Sequence, residues 1–345
     1  MCALLGFHLL LSKDQRLGKY QIIDRLGAGG FGTVYLAMDR LLDQKVALKV
    51  PNDQSEEALA TIRLLLAGKE PPQQGSEARR LLQESQIMAK LKHDNIVSMI
   101  AVEDIDGLFF MVMEYVEGET LDRHIRRERG LKPQKALEIA IGVCDAIAYA
   151  HSEKVIHRDL RPPNIMISLE GKPKVTDFGV SRYLEEGCLS APTRIGSPPY
   201  MAPEHFKGKT VFQSDIWSLG ITIYEMLIGM VPFYDADPVK IAQAYATKSV
   251  VAPHLRNPAV PKTLSDVVMK AVTVNLGERY ISAKEMLNAL LGLREVPAAD
   301  RYPTAPQVPP VLPKPAQNPT PSLCPHCWHP LPRLAKTCPA CGEKI

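Results

Sequence analysis

No stretch of this chain is apolar for long enough to cross a bilayer. Met1 to Leu11 has about half the needed length, with neither a leading Lys or Arg nor a small-residue cleavage pattern after it. Ile216 to Val231 is broken by Ser218, Thr222 and Glu225. We read the first as an accessory segment and the second as a buried helix, and expect no membrane partner. An excess of one charge is missing as well. Lys+Arg 41 against Asp+Glu 38 leave only +3, too weak a field to make nucleic acid or anionic lipid the default partner. Cysteine is scarce until the very end, since only Cys2, Cys144 and Cys188 precede residue 324. That excludes a secreted disulfide framework and points to a reducing cytoplasm. Repeats at solenoid periods are absent too.

What is present is ordinary in composition. Hydrophobic residues at 46% and charged residues at 23% describe a folded globular protein. At 345 residues the chain exceeds what one core sustains, roughly 250 to 300 residues. A two-lobed body with a small appendage is therefore expected. The composition shifts near Arg294, and from Glu295 to Leu323 nine of 29 residues are proline, so this part reads as an extended linker. In polyproline geometry it reaches on the order of 90 Å.

Within the body, strands come first. Tyr20 to Leu26, Thr33 to Met38 and Lys45 to Val50 are short, aromatic and β-branched, with turn residues between them, and predict three antiparallel strands. A helical pattern over Glu77 to Leu91 follows, then strands at Ile96 to Asp104 and Leu108 to Glu114. Beyond Gly118 helical periodicity dominates. The fold class is α+β, with a small sheet lobe followed by a larger helical lobe.

Four groups of residues carry chemistry. Gly27-Ala28-Gly29-Gly30-Phe31-Gly32 satisfies G-x-G-x-x-G, and because a strand rather than a helix follows, the loop reads as a phosphate-covering hairpin. Lys49 lies in the apolar strand Val46 to Val50 and needs an anionic partner. Glu84 supplies one, since it shares a helical stripe with Leu81, Met88 and Leu91. His157 to Asn164 and Asp177-Phe178-Gly179 place two aspartates and an asparagine near strand ends, hard oxygen ligands of the kind magnesium prefers. Ala202-Pro203-Glu204 completes the series.

In this order the motifs resemble those of the eukaryotic-type serine/threonine protein kinases, over about residues 18 to 293. The resemblance implies a bilobal kinase fold with lobes 18–115 and 116–293, preceded by an extension at 1–17. It implies ATP with Mg2+ or Mn2+ as cofactors, proteins as substrates, and autophosphorylation. Residue by residue, it makes Lys49, held by Glu84, the ligand of the α and β phosphates, and Asp159 the group that orients the substrate hydroxyl. Asn164 and Asp177 become the metal ligands. Leu26 to Gly32, Val34 and Ala47 enclose the nucleotide, Met113 is the gatekeeper, and Glu114 to Val116 form the hinge that reads adenine. Glu204 and Arg279 are expected as a buried ion pair, and Asp215 as the anchor of a core helix.

Two departures stand out. Arg161 occupies a position where serine/threonine kinases carry lysine, which leaves tyrosine or dual specificity, or a nucleotide-binding pseudokinase scaffold, as alternatives. The segment Gly196 to Glu204, with Ser197 in place of threonine, resembles the serine/threonine peptide platform and weighs more. The second departure is the 34 residues between Lys49 and Glu84, which include an extra helix at Ser55 to Ala67 and a break at Pro71 to Gly75. Arg158 before the catalytic aspartate implies control by phosphorylation, with Ser190, Thr193 and Ser197 as candidates; Cys188 lies in the same loop.

The tail, residues 324–345 beyond a linker at 294–323, carries Cys324-Pro325-His326-Cys327 and Cys338-Pro339-Ala340-Cys341. Four thiolates at this spacing suit tetrahedral Zn2+ in a zinc ribbon, with a disulfide or redox dithiol as the alternative. An unidentified docking partner is expected for it. Trp328, Arg333 and Lys336 leave nucleic acid as the weaker possibility.

Overall fold

The computed structural model describes residues 11–29, 32–52, 64, 88–178, 197–235 and 237–295. Gly30, Phe31, Glu84, Gly179, Cys188, Ser190 and Thr193 lie outside these residues. So do the insertion at 55–75 apart from Leu64, the helix expected from Glu77 as far as residue 87, the linker beyond Glu295 and the cysteine-rich tail.

The first lobe is a six-stranded antiparallel sheet in the order β1-β2-β3-β4-β6-β5. Its strands are β1 (Arg16–Leu17), β2 (Tyr20–Gly29), β3 (Gly32–Asp39), β4 (Gln44–Val50), β5 (Met99–Ile105) and β6 (Leu108–Glu114). Side chains alternate across a strand, so each strand sorts its residues onto two faces. Tyr35, Ala37, Val46, Leu48 and Val50 bury themselves on the outer face with Tyr20, Phe110 and Val112. Their neighbours Val34, Ala47 and Lys49 are left facing the helical lobe.

Two expected boundaries move. Leu11 and Leu17 belong to the outer-face core, the Leu11 amide donates to the Tyr35 hydroxyl at 3.2 Å, and β1 pairs with β2. Residues 11–17 are thus part of the sheet lobe, and its edge does not fall at 18. The strand expected from Ile96 starts only at Met99, because Ile96 forms a parallel bridge to Val175 of the other lobe. Val97 N donates to Val175 O at 2.9 Å, and Val175 N donates to Asn95 O at 2.8 Å.

The second lobe contains α1 (Leu121–Glu128), α2 (Pro133–Ser152), α3 (Phe212–Ile228), α4 (Pro238–Thr247), α5 (Pro253–Arg256), α6 (Lys262–Ala271) and α7 (Ala283–Glu295). It also holds a three-stranded antiparallel sheet in which β7 (Gly118–Thr120), ahead of α1, pairs with β8 (Ile165–Ser168), and β8 with β9 (Pro173–Val175), both of which follow α2. The hairpin before Lys174 was legible; β7, three residues long, was not.

Helix α3 is buried nearly throughout. Two of its hydroxyls turn back on the helix, Ser218 Oγ donating to Ser214 O at 3.2 Å and Thr222 Oγ1 to Ser218 O at 2.9 Å, and Ser218 Oγ also reaches Tyr200 O at 2.8 Å. Gly220 lets α6 come close: a Cβ there would stand 2.8 Å from both Ala271 Cβ and Val272 Cγ1. Among the described residues no helix is long and apolar enough to cross a membrane.

The expected ion pair closes the lower side of this core. Arg279 Nη1 lies 2.8 Å from Glu204 Oε1 and Nη2 3.2 Å from Oε2, with the guanidinium fully buried over the Trp217 ring. Ser214 Oγ donates to the same carboxylate at 2.9 Å. Burial pushes the Glu204 carboxyl up, but the bonds and charge of Arg279 outweigh it and hold the group below its ordinary range. Removing one partner strands the other charge in the core. Arg279→Met should therefore lower unfolding free energy by about 3–5 kcal/mol in urea titrations, whereas a loss under 1 kcal/mol would mean that the pair is dispensable.

Candidate active site

Sheet register sets the roof of the site. Lys49 pairs with Val34 on one side and Met111 on the other, and Ala47 pairs with Leu36 and Met113. Opposite residues share a face. Ala47, Met113 and Val116 therefore pack into one apolar cluster with Val34 against them, on the side where Lys49 emerges. The glycine hairpin lies directly beside it, with Gly27 opposite Val34, Ala28 opposite Thr33 and Gly29 opposite Gly32. Leu26 sits at a bulge there and is largely exposed. Gly32 has φ +151°, and a Cβ on it would stand 2.4 Å from the Val50 carbonyl oxygen, so this turn accepts no side chain.

The floor is built on Asp215, at the start of α3. Its carboxylate is fully buried and accepts from three donors: His157 N at 2.8 Å, Arg158 N at 2.9 Å and His151 Nε2 at 2.8 Å. Burial raises its pKa, and the bond and charge of His151, the charge of His157 and the Arg158 amide bring it below the usual carboxylate range. Arg158 takes φ +72°, a conformation that a non-glycine residue keeps only when its surroundings enforce it. His157 bridges onward, its Nε2 sitting 2.9 Å from Thr176 O and its ring 4.7 Å from that of the fully buried Phe178.

On this floor the remaining residues converge. Asn164 Nδ2 donates to Asp159 O at 2.8 Å and to Asp159 Oδ2 at 3.0 Å, while Arg161 Nε donates to Oδ2 at 3.2 Å. Both amide hydrogens of Asn164 are thereby used, which leaves Oδ1 as its available ligand atom. Thr176 N donates to Asn164 O at 3.0 Å, bringing the next segment alongside. There Asp177, at φ +60°, sets Oδ1 2.8 Å from Lys49 Nζ. Burial raises the Asp177 carboxyl and the adjacent Lys49 more than reverses this, with His157 and Arg161 adding to the effect, so the group is an anion.

Lys49, Asp159, Arg161, Asn164 and Asp177 thus form one connected cluster, and Val34, Ala47, Met113 and Val116 form the apolar slot above it. Glu84, the partner expected for Lys49, is outside the described residues; the contact found is with Asp177. Sequence reasoning missed the side chain of Glu114. It lies 2.9 Å from Lys174 Nζ and accepts from Ser98 N at 3.2 Å, which locks the connection between the lobes. It also missed Glu225, whose Oε2 accepts from the Tyr200 hydroxyl at 2.5 Å beside Asp122 and Arg126. An acid within a buried helix was the available signal.

Comparison of the sequence with known proteins points to one family. Residues 20–291 fit the family model of the protein kinase domain. Serine/threonine-protein kinase PrkC of Bacillus subtilis is 35% identical over 271 residues, which cover 78% of this chain and 39% of that protein. Serine/threonine-protein kinase PknB of Mycobacterium leprae is 34% identical over 297 residues, 84% of this chain and 44% of its own length. Serine/threonine-protein kinase PksC of Streptomyces coelicolor is 33% identical over 286 residues, with shares of 79% and 49%. The chain spans less than half the length of each of these relatives.

Glu225 yields a pH signature. Burial is the main cause that raises its carboxyl to about 7, Asp122 adds to this, and the Tyr200 bond and Arg126 oppose it. A carboxyl whose folded pKa lies above its unfolded value binds its proton more tightly when folded. Its contribution is complete below about pH 4.5 and is lost as pH rises to about 7. Glu225→Gln keeps an acceptor for Tyr200 and has no proton to lose. The variant should gain stability over wild type between pH 5 and pH 8, on the order of 1–3 kcal/mol in chemical denaturation. An unchanged difference across that range would refute the assignment.

Proposed function

Because the chain belongs to the protein kinase family, we propose that it transfers the γ-phosphoryl group of ATP to serine and threonine hydroxyls of protein substrates, itself included. The observation that carries this reading is the connected cluster in which Lys49 contacts Asp177 while Asn164 contacts Asp159. A kinase domain implies ATP and Mg2+, and the donor set suits them: an anionic Asp177 and a free Asn164 Oδ1 are hard oxygen ligands for magnesium. Magnesium, when bound, neutralises charge on the phosphates.

In this reading Val34, Ala47, Met113 and Val116 clasp the adenine, and the backbone of Glu114 to Val116 reads its edge. Leu26 to Gly32 cover the phosphates, and Lys49, braced by Glu84, fixes the α and β groups. Asp159 Oδ orients the substrate hydroxyl and receives its proton as the hydroxyl oxygen bonds to the γ-phosphorus and the bond from that phosphorus to the β–γ bridging oxygen breaks, releasing ADP. Arg161, 3.2 Å from Asp159, adds positive charge beside the transferring group. Such catalysis is positioning plus electrostatics, so a fixed cluster is what it needs. The platform from Gly196 to Glu204 favours serine and threonine over tyrosine, and phosphorylation at Ser190, Thr193 or Ser197 would supply an anion for Arg158.

The proposal extends to the tail. Cys324, Cys327, Cys338 and Cys341 supply four thiolates for one zinc ion, and 22 residues without a core of their own need that metal to fold. Thiolates bind zinc only while reduced, so a reducing cytoplasm belongs to the same reading. The tethered ribbon serves as a docking module for a protein partner.

Incubated with magnesium and radiolabelled ATP, the purified chain should label its own serine and threonine residues. Asp159→Asn should abolish labelling while retaining ATP binding. Equal labelling of wild type and variant removes Asp159 from catalysis, no labelling of either favours the pseudokinase scaffold, and labelling confined to tyrosine assigns Arg161 a different specificity.

For the tail, elemental analysis should find about one zinc per chain. Truncation after Glu295 should leave phosphorylation of a generic peptide largely intact. Absence of zinc under reducing conditions would sink the ribbon, and an unfolded truncated protein would sink its independence.

A further inference from the structure

At the other end of α3 from Asp215 lies a cavity of about 380 Å³, lined by Arg129, Lys132, Arg256, Leu131, Pro133 and the α3 residues Leu227 and Ile228, among others. Asp215 and Ile228 are 13 residues apart on one helix, so the cavity stands about 20 Å along the helix axis from the catalytic loop. It is separate from the site described above.

Its charge is one-sided. Every ionisable residue lining it is a cation, and none of the three pairs with a carboxylate among the described residues. The one side-chain contact of Arg256 is weak, Nη1 at 3.9 Å from Met230 Sδ. The amino end of α2 opens onto the same space, with Lys132 as its N-cap, Pro133 at its first position, no side-chain cap and no acid in its first turn. Its positive dipole end is therefore left without a counter-charge and adds to the three side chains.

Tyr224, one turn earlier on α3, does not line the cavity; it is fully buried and its hydroxyl has no hydrogen-bond partner among the described residues. It precedes Leu227 and Ile228 by three and four positions and so shares their helix face, and Arg256 is the one charge that bears on it. Three cations and an uncapped helix start face one hollow, and like charges this close repel one another unless an anion lies between them.

We propose that this cavity binds a phosphate monoester with an apolar body. The dianion would be held by Arg129, Lys132 and Arg256 at the α2 terminus, and the body would rest on Leu131, Pro133, Leu227 and Ile228. Guanidinium groups suit phosphate because their fork matches two of its oxygens. The volume falls within the range of small-molecule pockets.

The test is calorimetric titration of the full chain with phenyl phosphate, with the nucleotide site first saturated by magnesium and a non-hydrolysable ATP analogue. One equivalent should bind, more tightly than inorganic phosphate and with no binding of phenol. Arg256 and Lys132 are exposed, so Arg256→Gln and Lys132→Gln leave the core intact. Each should weaken binding roughly tenfold or more, while Arg256→Lys retains part of the affinity. No binding to the nucleotide-saturated protein overturns the proposal. So does equal affinity in the doubly substituted chain, and inorganic phosphate binding as tightly as phenyl phosphate overturns the role of the apolar wall.

Discussion

One buried carboxylate organises the catalytic half of this molecule. Asp215 carries its charge where water does not reach, and a lone ion there would cost several kcal/mol. The cost is met by two backbone amides and one imidazole, so the carboxylate and the loop from His157 to Arg158 fix each other. Everything downstream inherits that fixity. Asp159 and Asn164 follow within a few residues, and His157 fastens the segment that leads to Asp177. Helix α3 holds the carboxylate in place because the helix is itself embedded, with Ser214 and Ser218 tied to Glu204 and Tyr200 and its lower side closed by Glu204 and Arg279.

Much of this was legible from pattern alone. Period-two alternation in Val46 to Val50 sends Lys49 to one face and Leu48 to the other, and that arithmetic places the lysine over the site before any tertiary contact is known. The motif residues were legible because their chemistry demands particular side chains: a glycine where the Val50 carbonyl leaves no room, an aspartate where only an acid can gather two amides and an imidazole. Ile216 to Val231 was readable as a buried helix from its interrupting polar residues, and α3 bears this out.

What escaped was set by tertiary context. The strand β7 is three residues long and exists because β8 offers it an edge. Ile96 has strand character in sequence, yet its partner is Val175, some eighty residues away, and nothing local announces that pairing. Leu11 and Leu17 look like parts of an appendage until Tyr35 and its neighbours provide a surface for them. The pairing of Lys49 with Asp177, rather than with a helix glutamate alone, depends on a positive φ at Asp177 that sequence does not encode visibly.

The bridge at Val175 has a mechanical meaning. This residue belongs to β9 in the helical lobe and is bonded on its free side to both Asn95 and Val97, which lead into the sheet lobe. A strand shared by two bodies acts as a pivot, and points move in proportion to their distance from it. Asp177 lies two residues away, so a rotation of one lobe about this strand would displace it little. The acid two residues from this pivot would thus keep its alignment with the loop that Asp215 holds even if the lobes turned relative to each other.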